Sequence, residues 1–385
     1  MTATHPGRLL HIVGDSKSGG VTQVVFAIAT AAASAGWEVD ILTTDDSFAK
    51  RLADTPINII RLDVIRAGAT PWGDVFGVLR LAGFLRSRRY DLVHTHRTKS
   101  GILGRIAASI ARVPVVIHTV HGYPFSENDN SLTRKLVSRL ERLVGVFTDD
   151  VVAVSHYHAH DLTKDRIVPK RKLTTITNGI PDPLGSHAQS VERTAESSVF
   201  RLLYVGRLAE QKGLRFLIHA MAELQHGGTE TVHLSIVGEG PLGGALRRQA
   251  DGLGLIDSIT FEGFRTDTTE RTLKADLVVL PSLWEGLSIA LLEAMACGKP
   301  IVTTSIPSNV EVTDGGKGAF LVPPEDSNAL CCAIETLLES PTLATDFGQA
   351  GRAIFLERYT EDQMSAKYVA LYEQARVVHT RRYPA

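Results

Sequence analysis

The sequence predicts an α/β protein of two parallel-sheet domains facing a cleft, and three observations carry that prediction. Short β-rich runs alternate with helical patterns; the alternation stops once, over 181–198; it then begins again. Strand–helix alternation of this kind gives a parallel sheet covered by helices on both faces. A chain of 385 residues is long for a single core, which favours two domains. The break, PDPLGSHAQSVERTAESS, loses periodicity and gains Pro, Ser and charge, as a linker does. The expected division is a first domain over 1–180, a linker over 181–198, a second domain over 199–360 and a final segment over 361–385. Two tandem sheets leave a cleft between them, a favoured place for ligands.

In the first half the candidate strands are 9–13, 38–42, 58–62, 91–95, 115–119, 151–154 and 173–176. Helical patterns fill the intervals at 21–35, 75–86, 102–111, 131–146 and 156–165. In the second half strands are expected at 200–205, 233–237, 259–262, 276–280, 301–304 and 319–322. Ligands of parallel sheets sit at the carboxyl ends of the strands, so the loops there hold the chemistry.

Composition excludes several classes. Hydrophobic residues make up 44% and charged residues 22%, as in an ordinary soluble globular protein. Cys297, Cys331 and Cys332 lack metal-ligand spacing and read as reduced thiols of a cytoplasmic protein. The first apolar run, 9–13, is too short for a signal-peptide core, and no run approaches the roughly 18 residues of a membrane span. Charge is uneven: residues 1–180 carry 23 basic against 16 acidic side chains, a net of +7, and the remainder carries −8. A basic first half fits an anionic partner, such as a lipid surface at the inner face of a membrane or a phosphorylated acceptor; a solvated basic surface fits equally.

Three loops of the first half stand out. GDSKSGG at 14–20 runs from the first strand into the first helix, where glycines let a backbone approach a ligand and a helix start favours an anion. It is not GxGxxG, and a plain tight turn explains it as well. HTHRTKS at 94–100 is rich in donors for phosphate or hydroxyl groups, and HTVHGYPF at 118–125 can present an imidazole to a ligand. Any one of these histidines is more simply structural; their clustering at one end of one sheet is harder to dismiss. SLTRKLVSRLERLVGV at 131–146 sets basic residues between leucines and valines at helical spacing. Such a helix lies on an anionic membrane or, more commonly, packs its apolar stripe on the sheet.

In the second half, GRLAEQKG at 206–213 puts Arg207 and Lys212 on one strand-to-helix loop, with Lys212 opening a helix over 212–225. Two cations and a helix start can neutralise a leaving diphosphate. GEGP at 238–241 is a second glycine turn, and FEGFR at 261–265 offers backbone to a base edge. LWEGLSIALLEAMACGKP at 283–300 holds Glu285 and Glu293 with seven residues between them. From 287 to 297 it is apolar or small all round, the mark of a buried helix, and a carboxylate inside it is costly unless hydrogen-bonded. Glu285 lies just ahead, beside amides near Ser288 that suit an anion. A diphosphate and ribose hydroxyls would suit both glutamates. The simpler reading makes Glu293 a core salt bridge and Glu285 a loop residue.

GRLAEQKG, GEGP, FEGF and EGLSIALLEAMACGKPIV, in this order and spacing, resemble the retaining GT-B glycosyltransferases of family 4, whose E-x7-E motif the two glutamates match. SGG, HTH followed by KSGILGR, HTVHGYPF and TNGI have counterparts there too, so the resemblance covers nearly the whole chain. It implies a GT-B fold of two Rossmann-like domains, the first binding acceptor and the second nucleotide sugar, with a helix over 361–376 crossing back to the first. Carried over by position, Arg207 and Lys212 would bind the donor diphosphate. Glu293 would hold the ribose hydroxyls, and Glu285 the donor sugar or its phosphate. Amides of Gly286, Leu287 and Ser288 would meet the phosphate, and Phe264 and Arg265 would lie at the base. Gly206 and Gly238 would shape the donor turns, Gly19 and Gly20 would face the donor from the first domain, and His121 would sit near the reacting sugar. GLS follows Glu285 where many relatives carry GFG or GLP.

The implied activity is transfer of a hexosyl or N-acetylhexosaminyl group from a UDP-sugar to a glycan, lipid-linked or small-molecule acceptor of cell-envelope synthesis. Retention by front-face attack and independence of metal or other cofactor go with it, since no DxD-type motif stands where a diphosphate would bind. Peripheral contact with an anionic membrane is compatible with it, and no nucleic-acid partner is implied. The alternatives are a GT-B sugar-nucleotide epimerase, which the acceptor-facing loops and the glutamate pair disfavour, and a non-catalytic nucleotide-sugar-binding subunit, which intact Arg207, Lys212, Glu285 and Glu293 disfavour.

Overall fold

The structure, a computed structural model, describes residues 7–14, 20–65, 71–122, 131–185, 199–227 and 231–382. The chain forms two compact units: Met1–Gly179 together with Glu361–Ala385, and Ile180–Thr360.

The first unit begins with β1 (Arg8–Gly14), α1 (Gly20–Ser34), β2 (Glu38–Thr43), α2 (Asp46–Arg51) and β3 (Asn58–Ile60). It continues through α3 (Pro71–Arg88), β4 (Leu92–His96), α4 (Thr98–Ala111), β5 (Val115–Val120), α5 (Ser131–Val144), β6 (Asp150–Ala153), α6 (His156–Lys164) and β7 (Leu173–Thr175). The seven strands pair in parallel in the order β3-β2-β1-β4-β5-β6-β7. The order reverses between β1 and β4, the kind of switch point where open sheets place ligands. Burial on both faces explains the unbroken apolar character of these strands: Leu9, Leu10, Ile12 and Val13 are all sealed from solvent. The strands predicted here all form. The short α2 was not assigned; Asp45 caps it, accepting from the N–H groups of Ser47 and Phe48.

The second unit holds β8 (Val199–Val205), α7 (Leu214–Gly227), β9 (Thr231–Val237), α8 (Gly243–Gly252), β10 (Ile259–Gly263), α9 (Thr268–Lys274) and β11 (Leu277–Leu280). It ends with α10 (Ile289–Ala296), β12 (Ile301–Thr304), α11 (Pro307–Val312), β13 (Phe320–Val322), α12 (Ser327–Glu339) and α13 (Pro341–Arg358). Its six-stranded parallel sheet runs β10-β9-β8-β11-β12-β13. The helix after β8 starts at Leu214, not at Lys212 as expected from the sequence. Lys212 closes a 3-10 turn, Glu210–Lys212, and Gly213 follows at φ +62°. That left-handed glycine lies so near the loop after β11 that a Cβ would stand 2.1 Å from the Pro281 carbonyl oxygen.

The chain then returns to the first unit as α14 (Glu361–Arg382), which packs against α1 and buries Tyr368 and Tyr372 completely. Of the expected linker, 181–185 is described and Asp182 forms a bidentate pair with Arg352 (2.6 and 2.8 Å); 186–198 lies outside the described residues. Among the described residues no helix is long and apolar enough to cross a membrane.

Candidate active site

In the second unit the glycine turns are packed backbone to backbone. A Cβ on Gly238 (φ +134°) would stand 1.9 Å from the Gly206 carbonyl oxygen, and one on Gly240 would meet that of Leu208 at 2.3 Å. The Gly206 and Gly238 N–H groups donate to the carbonyls of Val237 (3.0 Å) and Gly263 (2.8 Å). These two amides are therefore engaged by the protein, and their glycines serve by close approach. Tyr204 is buried beneath the turn, its hydroxyl donating to the Arg207 carbonyl (3.1 Å). Burial, with the Glu285 charge nearby, holds that phenol far above its usual range. Arg207 is exposed, and no carboxylate pairs with it among the described residues.

The next turn is locked to the loop before α10. Gln211 accepts from the Leu283 N–H (2.8 Å) through its backbone carbonyl and donates from its side chain to the Trp284 carbonyl (2.8 Å) and Glu285 (3.2 Å). Ser282 donates to Glu285 Oε1 (2.9 Å), and Lys212 forms an ion pair with the same oxygen. Glu285 is thus a nearly buried carboxylate met by three donors.

Glu293, two turns into α10, has the opposite surroundings. It is largely buried, no side chain or amide bonds its carboxyl group among the described residues, and burial alone raises its pKa to about 7. The simpler sequence reading is reversed: Glu285 carries the salt bridge, and Glu293 has no partner among the described residues. Ser288 caps α10, its hydroxyl accepting from the Leu291 N–H (3.4 Å), and the residue is buried. Leu287 is buried beside it. Across the sheet, Phe264 is exposed, its N–H donating to Glu239 (3.4 Å), and Arg265 lies 3.4 Å from Asp267.

The first unit holds a file of histidines. His11 on β1 stands opposite His94 on β4, and His96, two residues on, shares that face. His11 Nδ1 meets His96 Nε2 at 3.0 Å, and His96 Nδ1 meets His121 Nε2 at 3.1 Å. His94 bonds Tyr372 (2.7 Å) and Thr119 (2.8 Å). Burial drives all these imidazoles below their usual pKa, His11 and His121 to about 3, so the rings are neutral. His11, His94 and His96 also stand close enough to share a cation. Bonds among themselves and to Tyr372, Thr119 and His121 account for five of their six ring nitrogens; among the described residues His11 Nε2 alone of the six has no hydrogen-bond partner.

The structure corrects the reading of HTHRTKS. His94, Thr95 and His96 are fully buried and offer nothing to a phosphate. Gly20 opens α1, while Gly19 lies outside the described residues, as do 123–125 of HTVHGYPF. Gln211, Ser282, Tyr204 and His96 were not named for the roles they hold. Their signal was adjacency to Lys212, Glu285, Arg207 and the histidine motif.

Two Rossmann-like units, the second with glycine turns, a Lys212–Glu285 pair and a Glu293 that has no partner among the described residues, describe a nucleotide-sugar transferase of the GT-B class. Residues 18–182 match the family described as Glycosyltransferase Family 4, and residues 199–340 the one described as Glycosyl transferases group 1. An Escherichia coli UDP-Gal:alpha-D-GlcNAc-diphosphoundecaprenol alpha-1,3-galactosyltransferase is 30% identical over 281 residues, 70% of this chain and 72% of that one. A D-inositol 3-phosphate glycosyltransferase of Jonesia denitrificans is 25% identical over 428 residues, with 98% of each chain covered. Among solved structures, Anabaena HepE in complex with UDP-glucose superposes with a TM-score of 0.78 at 22% identity, covering 96% of this chain and all of that one. The chain belongs to the family 4, group 1 glycosyltransferases. It is a glycosyltransferase acting on nucleotide sugars.

Proposed function

We propose that the protein transfers a hexosyl or N-acetylhexosaminyl group from a UDP-sugar to a lipid-linked acceptor of cell-envelope glycan synthesis, with retention and without a metal ion. The observation that carries the donor half is Glu293: a desolvated carboxyl group with no partner among the described residues is costly, and a vicinal diol supplies the two hydroxyl donors it lacks. Arg207, exposed at the end of β8 and unpaired with any carboxylate among the described residues, is the cation for the diphosphate. Lys212 holds Glu285 toward the donor and shares its charge with the phosphate when one arrives. The acceptor half draws on the Escherichia coli relative, whose name states a UDP-galactose donor and a diphosphoundecaprenol-linked acceptor.

In the proposed reaction the acceptor hydroxyl attacks the anomeric carbon from the face the diphosphate leaves. The bond from that carbon to the phosphate oxygen breaks, the departing phosphate takes the acceptor proton, and nucleoside diphosphate is released. Arg207 stabilises the charge that develops there. His121, neutral and held by His96, is assigned to the reacting sugar.

The test is calorimetric titration with UDP, GDP and ADP, with and without a divalent cation, on wild type, Arg207→Ala and Glu293→Gln. UDP alone should bind without metal, and each variant should lose at least about tenfold, or 1.4 kcal/mol. Equal binding by Arg207→Ala, or none by any nucleotide, would overturn the donor assignment.

A further inference from the structure

We propose that the outer face of the α3–α4–α5 layer is a docking surface for an anionic lipid bilayer. Surface helices of a water-soluble unit turn apolar residues inward. Here α3 does so with Val78, Leu81, Ala82 and Leu85, yet it carries a second apolar stripe outward. Trp72, Val75, Phe76 and Leu79 recur at i, i+3, i+4 and i+7, with Trp72 exposed by 78% and Phe76 by 65%. On α5 Val144 is buried, but the leucines are turned outward. Its one acidic residue, Glu141, points inward to the buried Arg105 (2.6 Å), while Leu132, Leu136, Leu140 and Leu143 face out, the first exposed by 75%. The sequence left two readings open for this helix, and the leucines are not packed on the sheet.

The two stripes belong to one layer, because α4 packs against both α3 and α5; it adds Ile110 to the exposed apolar side chains. Solitary exposed leucines need no explanation, but aligned stripes on neighbouring helices of one layer do.

Charge selects the occupant. Lys135, Arg139 and Arg142 on α5 and Arg80 on α3 are exposed around the stripes. The two carboxylates of these helices are both engaged, Asp74 by Lys99 (2.8 Å) and Glu141 by Arg105. Apolar side chains interleaved with cations and lacking free anions suit the headgroup boundary of an anionic membrane. A second copy docked face to face would instead set the same cations against one another. Trp72 has the amphipathic ring favoured at that boundary.

Vesicle binding needs neither donor nor acceptor, so its outcome is independent of the proposed transfer reaction. The experiment is co-sedimentation of the full chain with phosphatidylcholine vesicles, with and without phosphatidylglycerol, alongside tryptophan emission. Trp37 is buried and Trp284 half-buried, so Trp72 is the reporter. Wild type should sediment with phosphatidylglycerol vesicles and shift its emission to the blue. Phe76→Ser/Leu136→Ser should lower the partition coefficient by about tenfold or more, and Lys135→Glu/Arg139→Glu should remove the dependence on phosphatidylglycerol. All of these sites are exposed, so unchanged melting temperatures and UDP titrations show that the variants remain folded. Wild type left in the supernatant, or variants that bind as well as wild type, would overturn the proposal. So would a dimer that ignores vesicles and dissociates in the Phe76→Ser/Leu136→Ser variant, since the occupant would then be a second copy.

Discussion

Lys212 and Glu285 are joined by an ion pair that ties the turn after β8 to the loop ahead of α10. Lys212 is 18% exposed and Glu285 7%, so the pair is poorly screened, and removing one partner strands the other's charge. Lys212→Met should destabilise the fold by about 2–4 kcal/mol. Lys212→Met/Glu285→Gln should recover a good part of that loss while remaining inactive. Urea melts of the two single variants and the double, read as a cycle, give the coupling; strictly additive losses would deny it.

Glu293 makes stability and nucleotide binding respond to pH in opposite directions. Its pKa is near 4.5 in the unfolded chain and about 7 in the folded one, so the folded state binds more protons between those values. Stability should therefore fall as pH rises from 4.5 through 7, by roughly 3 kcal/mol at most, and Glu293→Gln should flatten that slope. Ribose hydroxyls favour the ionised carboxylate, so UDP should bind more tightly as pH rises through 7. Below pH 7 binding should release close to one proton, measurable by calorimetry in buffers of different ionisation enthalpy.

The histidine file sets a slope of the other sign. His11 and His121 are depressed to about 3, so the unfolded chain takes up protons below about 6.5 that the folded chain refuses. Their contribution is complete above 6.5 and is lost as pH falls toward 3, by about 1.4 kcal/mol per pH unit for each ring. Melting temperature should drop steeply on acidification, and His11→Leu should soften the drop.

His96 bonds both His11 and His121, so it fixes which nitrogen of His121 carries the proton. His96→Asn, whose amide can occupy the Nδ1 position, should keep most turnover, whereas His96→Leu should lower kcat about tenfold or more with little change in KM. Imidazole 15N spectra should show the His121 tautomer retained in the first variant and mixed in the second. Unchanged spectra in His96→Leu would remove the positioning role.

Arg105 and Glu141 join α4 to α5 through a pair exposed by only 1% and 7%. Glu141→Leu should cost about 3–5 kcal/mol, because the guanidinium is left buried without its partner. Arg105→Met/Glu141→Leu should be markedly more stable than Glu141→Leu in urea denaturation.

The strands were legible because each is a short apolar run bounded by turn residues, and buried parallel strands can hardly read otherwise. The glutamate pair was legible as a unit, but its electrostatics were not: nothing in seven intervening residues says that Gln211, Lys212 and Ser282 converge on Glu285. The helix after β8 reads two residues too early, at Lys212 and not Leu214, because a left-handed Gly213 looks, in sequence, like any glycine. His94 looked like a ligand donor because its burial involves α14, more than 270 residues away at Tyr372. The outward leucines of α5 show the same limit. Periodicity finds an apolar stripe and leaves open which way it faces.

The place of α14 has a consequence for the order in which a nascent chain matures. His94 hydrogen-bonds Tyr372, and Thr119 lies 3.2 Å from the Tyr368 hydroxyl, so the inner face of the first sheet stays uncovered until those tyrosines emerge. Everything from Ile180 to Thr360 is synthesised before that happens. The unit that begins the chain is thus the last to be finished. A released chain truncated ahead of α14 would hold the whole of the second unit and a first one still open along its histidine-lined face.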